Sequence, residues 1–124
     1  MLGFVMVGTN KLEKSSKFYD AILLPLGLTR VTSEKKYIGY ANIKTREKIE
    51  FYVTSPQNKQ PATNGNGTMI ALQADSKTIV NKFHEIALHY GGANEGLPGI
   101  RYDNNYYAYV RDLDGNKICA FFIS

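Results

Sequence analysis

The chain has 124 residues, of which 44% are hydrophobic and 21% charged, and its formal net charge is +4. This size and composition predict one ordinary globular domain, too small for two independent cores. No apolar run is long enough for a transmembrane helix, and the first residues lack the basic-then-apolar order of a signal peptide. The lone cysteine excludes an internal disulfide, so we expect a cytoplasmic protein without membrane contact. Its lysines form no dense basic stripe, which argues against a nucleic-acid partner.

The first half of the chain reads as a strand, a helix and three further strands. Alternating residues predict a strand over Leu2–Gly8, and Asn10 with Glu13 three residues later has the spacing of a helix capping box. Pro25 and Gly27 end that helix. Three strand-like segments follow, at Leu28–Ser33, Lys36–Ile43 and Lys48–Thr54.

After a linker at residues 57–65, rich in polar residues, proline and glycine, the same order of elements restarts. Ser76 is the expected cap of a second helix, which Gly91 and Gly92 end. The strands of this half are predicted at Thr68–Ala74, Gly99–Tyr102, Tyr106–Arg111 and Lys117–Ile123. Aligning the two helices shifts the sequence by 65 positions and places Phe4 on Met69.

The repeat predicts an α+β fold made of tandem βαβββ modules, with half-modules at about 1–56 and 66–124 inside one domain, 1–124. One helix can cover only one face of each sheet. The uncovered faces therefore predict a cleft between two curved sheets, lined by the first and fourth strands of each half.

The last two strands flank Asp112–Asn116, and Asp114-Gly115 predicts a two-residue hairpin turn between them. Together with other segments, this hairpin resembles the glyoxalase/bleomycin-resistance/extradiol-dioxygenase superfamily, the vicinal oxygen chelate proteins. The similar segments span nearly the whole chain: Phe4–Gly8, Phe18–Asp20, Leu24–Leu28, Phe83–Ala87, Gly91–Gly92, Pro98–Arg101, Asn105–Ala108 and Asp114–Ile118.

The resemblance implies paired βαβββ modules, a frequent homodimer, and in many members a divalent metal held by histidine and glutamate. Three of the four positions where ligands are expected carry other residues here: Phe4, Met69 and Cys119. Only Glu50 is a carboxylate at such a position. Because one carboxylate with a thiol and a thioether does not suit a hard metal, we expect no metal and no other cofactor.

The predicted cleft lining is rich in aromatic residues and consists of Phe4, Glu50, Tyr52, Met69, Tyr107, Cys119 and Phe121. Cys119 is interpreted as a packed thiol, because no base is predicted near it. Glu50 either faces the cleft as a base or is satisfied elsewhere. His84 and His89 are too far apart around one helix to chelate together and are expected near its solvated side. Arg101 and Arg111 are candidates to bind an anionic group, but for Arg111 the simpler expectation is a surface ion pair with Asp112.

These features favour a metal-independent protein that binds or sequesters an apolar or aromatic small molecule. Two alternatives stay open. One is an enzyme of the lactoylglutathione-lyase, glutathione-transferase or dioxygenase type, with Glu50 as its candidate base and no other catalytic residue assigned from the sequence. The other is a structural or partner-binding domain with a filled cleft.

Overall fold

The computed structural model describes all 124 residues and contains two α-helices and eight strands in two four-stranded sheets. The elements in chain order are β1 Val5–Gly8, α1 Leu12–Leu23, β2 Leu28–Ser33, β3 Tyr37–Asn42, β4 Ile49–Thr54, β5 Ile70–Gln73, α2 Lys77–His89, β6 Ala93–Ile100, β7 Tyr106–Arg111 and β8 Lys117–Phe122. A 3-10 turn at Leu24–Leu26 extends α1. Neither helix has the length and apolar character needed to cross a membrane.

Both halves have the same strand order. The first sheet runs β1-β4-β3-β2 and the second β5-β8-β7-β6. In each, the first strand lies parallel to the fourth, and the remaining neighbours are antiparallel. The predicted tandem βαβββ modules of an α+β fold are therefore confirmed, and in each sheet the first strand forms one edge, beside the fourth.

The core lies between the helices and one face of each sheet. Tyr19 of α1 and Phe83 of α2 are completely or almost completely buried, as are Phe51 of β4 and Ile118 of β8. These residues belong to one cluster of 17 buried side chains drawn from both halves. Because strand side chains alternate between faces, Tyr52 and Cys119 point to the opposite side of their sheets.

The final turn connects the two halves. Asp112 is 5% exposed; its Oδ2 accepts a hydrogen bond from the Tyr19 hydroxyl at 2.6 Å and another from the Asn116 side-chain amide at 2.8 Å. The same amide donates to the Gly8 carbonyl at 3.0 Å, and Asp114 Oδ1 accepts from the Asn10 backbone N–H at 2.9 Å. The turn thus fastens β8 to the end of β1 and to the entry of α1.

This turn is longer than the predicted two-residue turn. The Asp112 N–H donates to the Asn116 carbonyl, so three residues separate the paired positions, and only Gly115 has a positive φ, at 86°. The predicted ion pair between Arg111 and Asp112 is also wrong. Arg111 binds Glu95 at 2.8 Å, while the buried carboxylate of Asp112 is satisfied by donors within the turn and from α1.

Two local expectations about helix and strand ends differ from the structure. The first helix begins at Leu12 without a side-chain cap, because the Asn10 side chain accepts from the Ala62 N–H at 2.7 Å instead. The second helix has the predicted cap, with Ser76 Oγ accepting from the Ile79 N–H at 3.2 Å. The sixth strand begins at Ala93, well before the predicted Gly99.

Candidate functional site

The sheet faces turned away from the helices carry two clusters of aromatic side chains. The first cluster belongs to the N-terminal half. Tyr52 of β4 lies edge-to-face with Phe4, with ring centroids 5.0 Å apart, and also with Tyr37 of β3 at 5.7 Å. Phe4 remains 55% exposed. This cluster is therefore a partly solvated aromatic surface on the uncovered face of the first sheet.

The second cluster belongs to the C-terminal half. The Tyr107 ring stacks on Phe121 with a centroid distance of 5.6 Å, and on Tyr109 at 5.9 Å with the two ring planes only 1° apart. The Tyr107 hydroxyl donates to the Asp103 carboxylate, and this bond raises the pKa of Tyr107 to about 12. No aromatic contact in the structure joins the two clusters, so each half presents its own stacking surface.

Met69 and Cys119 have very different environments. Met69 precedes β5 and is 42% exposed. Cys119 is completely buried, pairs with Tyr109 across β7 and with Ala71 across β5, and donates its S–H to the Ala120 carbonyl at 3.6 Å. Burial raises the pKa of the Cys119 thiol to about 11. The residue is therefore a packed neutral thiol, unsuited to attack a substrate or to bind a metal as thiolate.

Glu50 is the extra residue of a β-bulge. Tyr40 pairs with Phe51 and Ala41 with Ile49, so Glu50 has no partner on β3. The half-buried carboxylate borders a hollow of about 220 Å³ whose apolar lining includes Leu26 and Leu72. Both leucines pack against the helix-side core, so the structure places Glu50 at the edge of that core.

The repeat shows that the four expected ligand positions are not equivalent in the two halves. Val5 pairs with Phe51, and its counterpart Ile70 pairs with Ile118. By this register Cys119 corresponds to Tyr52 in the first half, and Glu50 corresponds to Lys117 in the second half, which has no carboxylate. The two halves therefore do not present matching donor pairs.

The residues present do not fit the divalent metal that the superfamily resemblance implies. Phe4 has no atom that could bind a metal, and the Met69 thioether is a soft ligand. The Cys119 thiol is buried, and its raised pKa keeps it protonated. No three His, Cys, Asp or Glu side chains are grouped so that they could share a metal ion.

The two histidines lie apart, and one of them is not where the sequence predicted it. His84 is 5% exposed, and its Nε2 lies 2.9 Å from the Asn94 Oδ1. The expectation that it lies near the solvated side is wrong, because β6 covers this part of the helix and supplies its polar partner. His89 is exposed at the end of α2 and contacts the Tyr90 ring.

Sequence reasoning did not include three residues that belong to this face. Tyr37 and Tyr109 complete the aromatic clusters, and Lys117 places its ammonium group 5.2 Å from the Tyr109 ring centroid. Two of the three could have been identified, since Tyr109 follows Tyr107 by two residues and Lys117 precedes Cys119 by two, the spacing of side chains on one strand face.

The fold and the open aromatic face define a two-module glyoxalase-like domain. The chain is similar over its whole length to the crystal structure of a glyoxalase/bleomycin resistance protein from Albidiferax ferrireducens T118, with 42% identity, 100% of this chain and 99% of that chain covered, and a TM-score of 0.91. The chain therefore belongs to the glyoxalase/bleomycin resistance protein family.

More distant solved structures share the fold. A glyoxalase-related enzyme from Fulvimarina pelagi is 21% identical, with 99% of this chain and 88% of that chain covered and a TM-score of 0.78. A lactoylglutathione lyase from Agrobacterium tumefaciens is 16% identical, with 98% and 92% covered and a TM-score of 0.68. No family model matches the sequence, and no curated protein matches it.

Proposed function

We propose that this protein binds an apolar or aromatic small molecule on the uncovered sheet faces, without the help of a metal. The observation that carries the proposal is the pair of partly solvated aromatic clusters, around Tyr52 and around Tyr107. Aromatic rings that remain accessible to solvent offer flat apolar surface to a ligand ring. The unsuitable donor set at Phe4, Met69 and Cys119 supports binding rather than metal-assisted chemistry.

The test is a thermal-shift and calorimetric titration with 2-naphthamide, a neutral flat aromatic compound, in buffer containing EDTA. We expect saturable binding, because a ligand that binds the folded state raises its melting temperature. Because the two clusters are separate stacking surfaces, Phe4→Ala should weaken binding at the first cluster and Phe121→Ala at the second, each by about three- to tenfold. Met69→Ala should weaken binding by a similar factor, the range expected for losing one aromatic or thioether contact.

Leu88→Ala is the matched control. Leu88 lies on the outer side of α2 and is 40% exposed, close to the 42% of Met69. Both truncations remove a partly exposed apolar side chain, so a loss of stability should be similar in the two variants. Equal affinity in the Met69→Ala and Leu88→Ala proteins, or no binding by the wild type, would contradict the proposal.

The proposal includes a homodimer in the cytoplasm. A second copy laid over the open face would shield exposed side chains such as Phe4 and enclose the bound ligand, whereas a single chain leaves it open to solvent. Light scattering during size-exclusion chromatography should give twice the monomer mass of 13.9 kDa. A monomer at all protein concentrations would remove the dimer from the proposal and leave ligand binding to be judged by the titration.

The alternative enzyme function depends on Glu50, whose carboxylate borders a hollow at the edge of the core. It is tested by turnover of the hemithioacetal of methylglyoxal and glutathione, with and without added nickel or zinc. Activity that disappears in the Glu50→Gln protein would favour this alternative over simple binding. A protein with neither turnover nor ligand binding would favour a structural or partner-binding domain.

A further inference from the structure

The Tyr109 ring lies between two cationic side chains. The Arg101 guanidinium carbon is 5.5 Å from the ring centroid, and the Lys117 ammonium nitrogen is 5.2 Å from it. Lys117 approaches from β8, while Arg101 follows the end of β6 on the other side of β7. Both positive charges are therefore held at the aromatic row formed by Tyr107 and Phe121 with Tyr109.

Neither cation has a carboxylate partner. The ion pairs of the structure are Arg30–Asp20 and Arg111–Glu95. The Glu95 carboxylate interacts electrostatically with Lys117, but its Oε2 accepts a hydrogen bond from Arg111 Nε at 2.8 Å. Arg111 therefore lowers the pKa of Glu95 more than Lys117 does. The nearby Asp103 accepts from the Tyr107 hydroxyl and the Asn105 N–H. The protein thus leaves two positive charges uncompensated beside its stacking surface.

The position of Arg101 is built into the local backbone. Its Nη2 donates to the Leu97 carbonyl at 2.6 Å, which leaves other guanidinium N–H groups free to donate. Gly96 permits this arrangement, because a Cβ there would lie 2.6 Å from the Tyr109 ring and 3.3 Å from Arg101 Nη2. Any other residue at this position would require the Tyr109 ring to shift.

The surroundings strengthen an interaction with an anion. Both cationic residues are half-buried, and Cys119 beneath them is fully buried. Charges interact more strongly where water is partly excluded. Lys117 also borders a hollow of about 180 Å³ between β1 and β5, whose lining includes Asn64 and Asn116.

We propose that the ligand of this face is an aromatic compound carrying an anionic group, with its ring against the Tyr107–Phe121 stack and its negative charge between Arg101 and Lys117. This inference rests on the proposed binding function and specifies its ligand class. A carboxylate and a phosphate share the required chemistry. The aromatic row and the paired cations are adjacent on one sheet face, so one small molecule can contact both.

The experiment compares three ligands with the same ring system by calorimetry at about pH 7, where a carboxylate is ionised: 2-naphthoate, 2-naphthyl phosphate and the neutral 2-naphthamide. We expect at least one anion to bind about tenfold more tightly than the amide. That preference should shrink as salt is raised, because screening weakens charge interactions. The tighter of the two anions distinguishes a carboxylate ligand from a phosphate ligand.

Lys117→Gln and Arg101→Gln should lower the affinity for the preferred anion by about three- to tenfold each and leave that for 2-naphthamide within about twofold. Lys82→Gln is the matched control, because Lys82 is exposed on α2, and it should change neither. Arg101→Lys, which keeps the charge, should retain most of the anion preference. This variant separates the loss of charge from a change in the loop.

The outcomes distinguish this inference from the function on which it rests. Equal binding of the amide and both anions would overturn the inference and leave the binding function standing. An anion preference that survives Lys117→Gln and Arg101→Gln would also overturn it. No binding of any of the three ligands would overturn both.

Discussion

Removing the hydroxyl of Tyr19 should destabilise the fold measurably, because this group joins α1 to the final turn. Tyr19 is completely buried, and its hydroxyl donates to Asp112 Oδ2 at 2.6 Å. Tyr19→Phe keeps the ring and its contacts with Phe18 and Phe51. The substitution therefore tests the hydrogen bond with little change in packing.

The expected magnitude follows from what Asp112 keeps. Its Oδ2 retains the Asn116 side-chain amide, and its Oδ1 retains the backbone N–H groups of Asp114 and Asn116. The carboxylate thus loses one of four donors. A hydrogen bond to a charged group contributes about 1.5–3 kcal/mol, so we expect a loss of about 2 kcal/mol in the free energy of unfolding.

Thermal and urea unfolding followed by circular dichroism will measure this loss. For a chain of this length the unfolding entropy is about 0.26 kcal/mol/K, so about 2 kcal/mol lowers the melting temperature by about 8 °C. Tyr102→Phe is the control, because Tyr102 is 98% exposed and should show no change. A Tyr19→Phe protein as stable as the wild type would refute the role assigned to the Tyr19–Asp112 bond.

Two further predictions concern the C-terminal sheet. The pKa of Cys119, raised from 9.0 to about 11 by burial, should lower the thiolate fraction at about pH 8 about a hundredfold. Reaction with DTNB should accordingly be very slow in the native protein and fast in urea, and a fast native reaction would show that the strand is open. Gly96→Ala should lower the free energy of unfolding by about 1–3 kcal/mol and weaken anion binding, because the added Cβ would lie 2.6 Å from the Tyr109 ring. Gly3→Ala has nothing within 4 Å of the added Cβ, and an equal effect of the two substitutions would contradict this explanation.

The architecture could be predicted from the sequence because its strongest patterns are local. The strands Leu28–Ser33 and Tyr106–Arg111 have the predicted bounds, and Ser76 caps its helix as expected. In these segments, alternation and cap chemistry agree with the tertiary structure. The shift of 65 positions likewise relates β1 to β5 and the start of α1 to that of α2.

The sixth strand could not be recognised, because its sequence is rich in residues that strands avoid. Ala93–Ile100 contains Gly96, Pro98 and Gly99, and its pairing with β7 has two register shifts. An edge strand tolerates proline and glycine at such irregular positions. Pairing with the regular strand β7 therefore overrides the weak local preference.

Several polar contacts were harder to predict because their partners are distant in sequence. The Asn10 side chain accepts a hydrogen bond from Ala62 of the linker instead of capping its own helix. Asp112 accepts a hydrogen bond from the hydroxyl of Tyr19, 93 residues away. The bulge that leaves Glu50 unpaired depends on the register of β3 against β4. The aromatic face could have been predicted further than it was, since alternation alone places Tyr109 on the same face as Tyr107, yet Tyr109 was not among the residues predicted from the sequence.

The central claim is that the uncovered sheet faces bind an aromatic ligand without a metal. The most direct measurement is a titration of 15N-labelled protein with 2-naphthamide in EDTA, followed by backbone amide chemical shifts. The account predicts saturable shifts confined to strands that carry the aromatic clusters, around Tyr52, Tyr107 and Phe121. Shifts confined to the outer surfaces of the helices, or the absence of any shift until a metal is added, would contradict it.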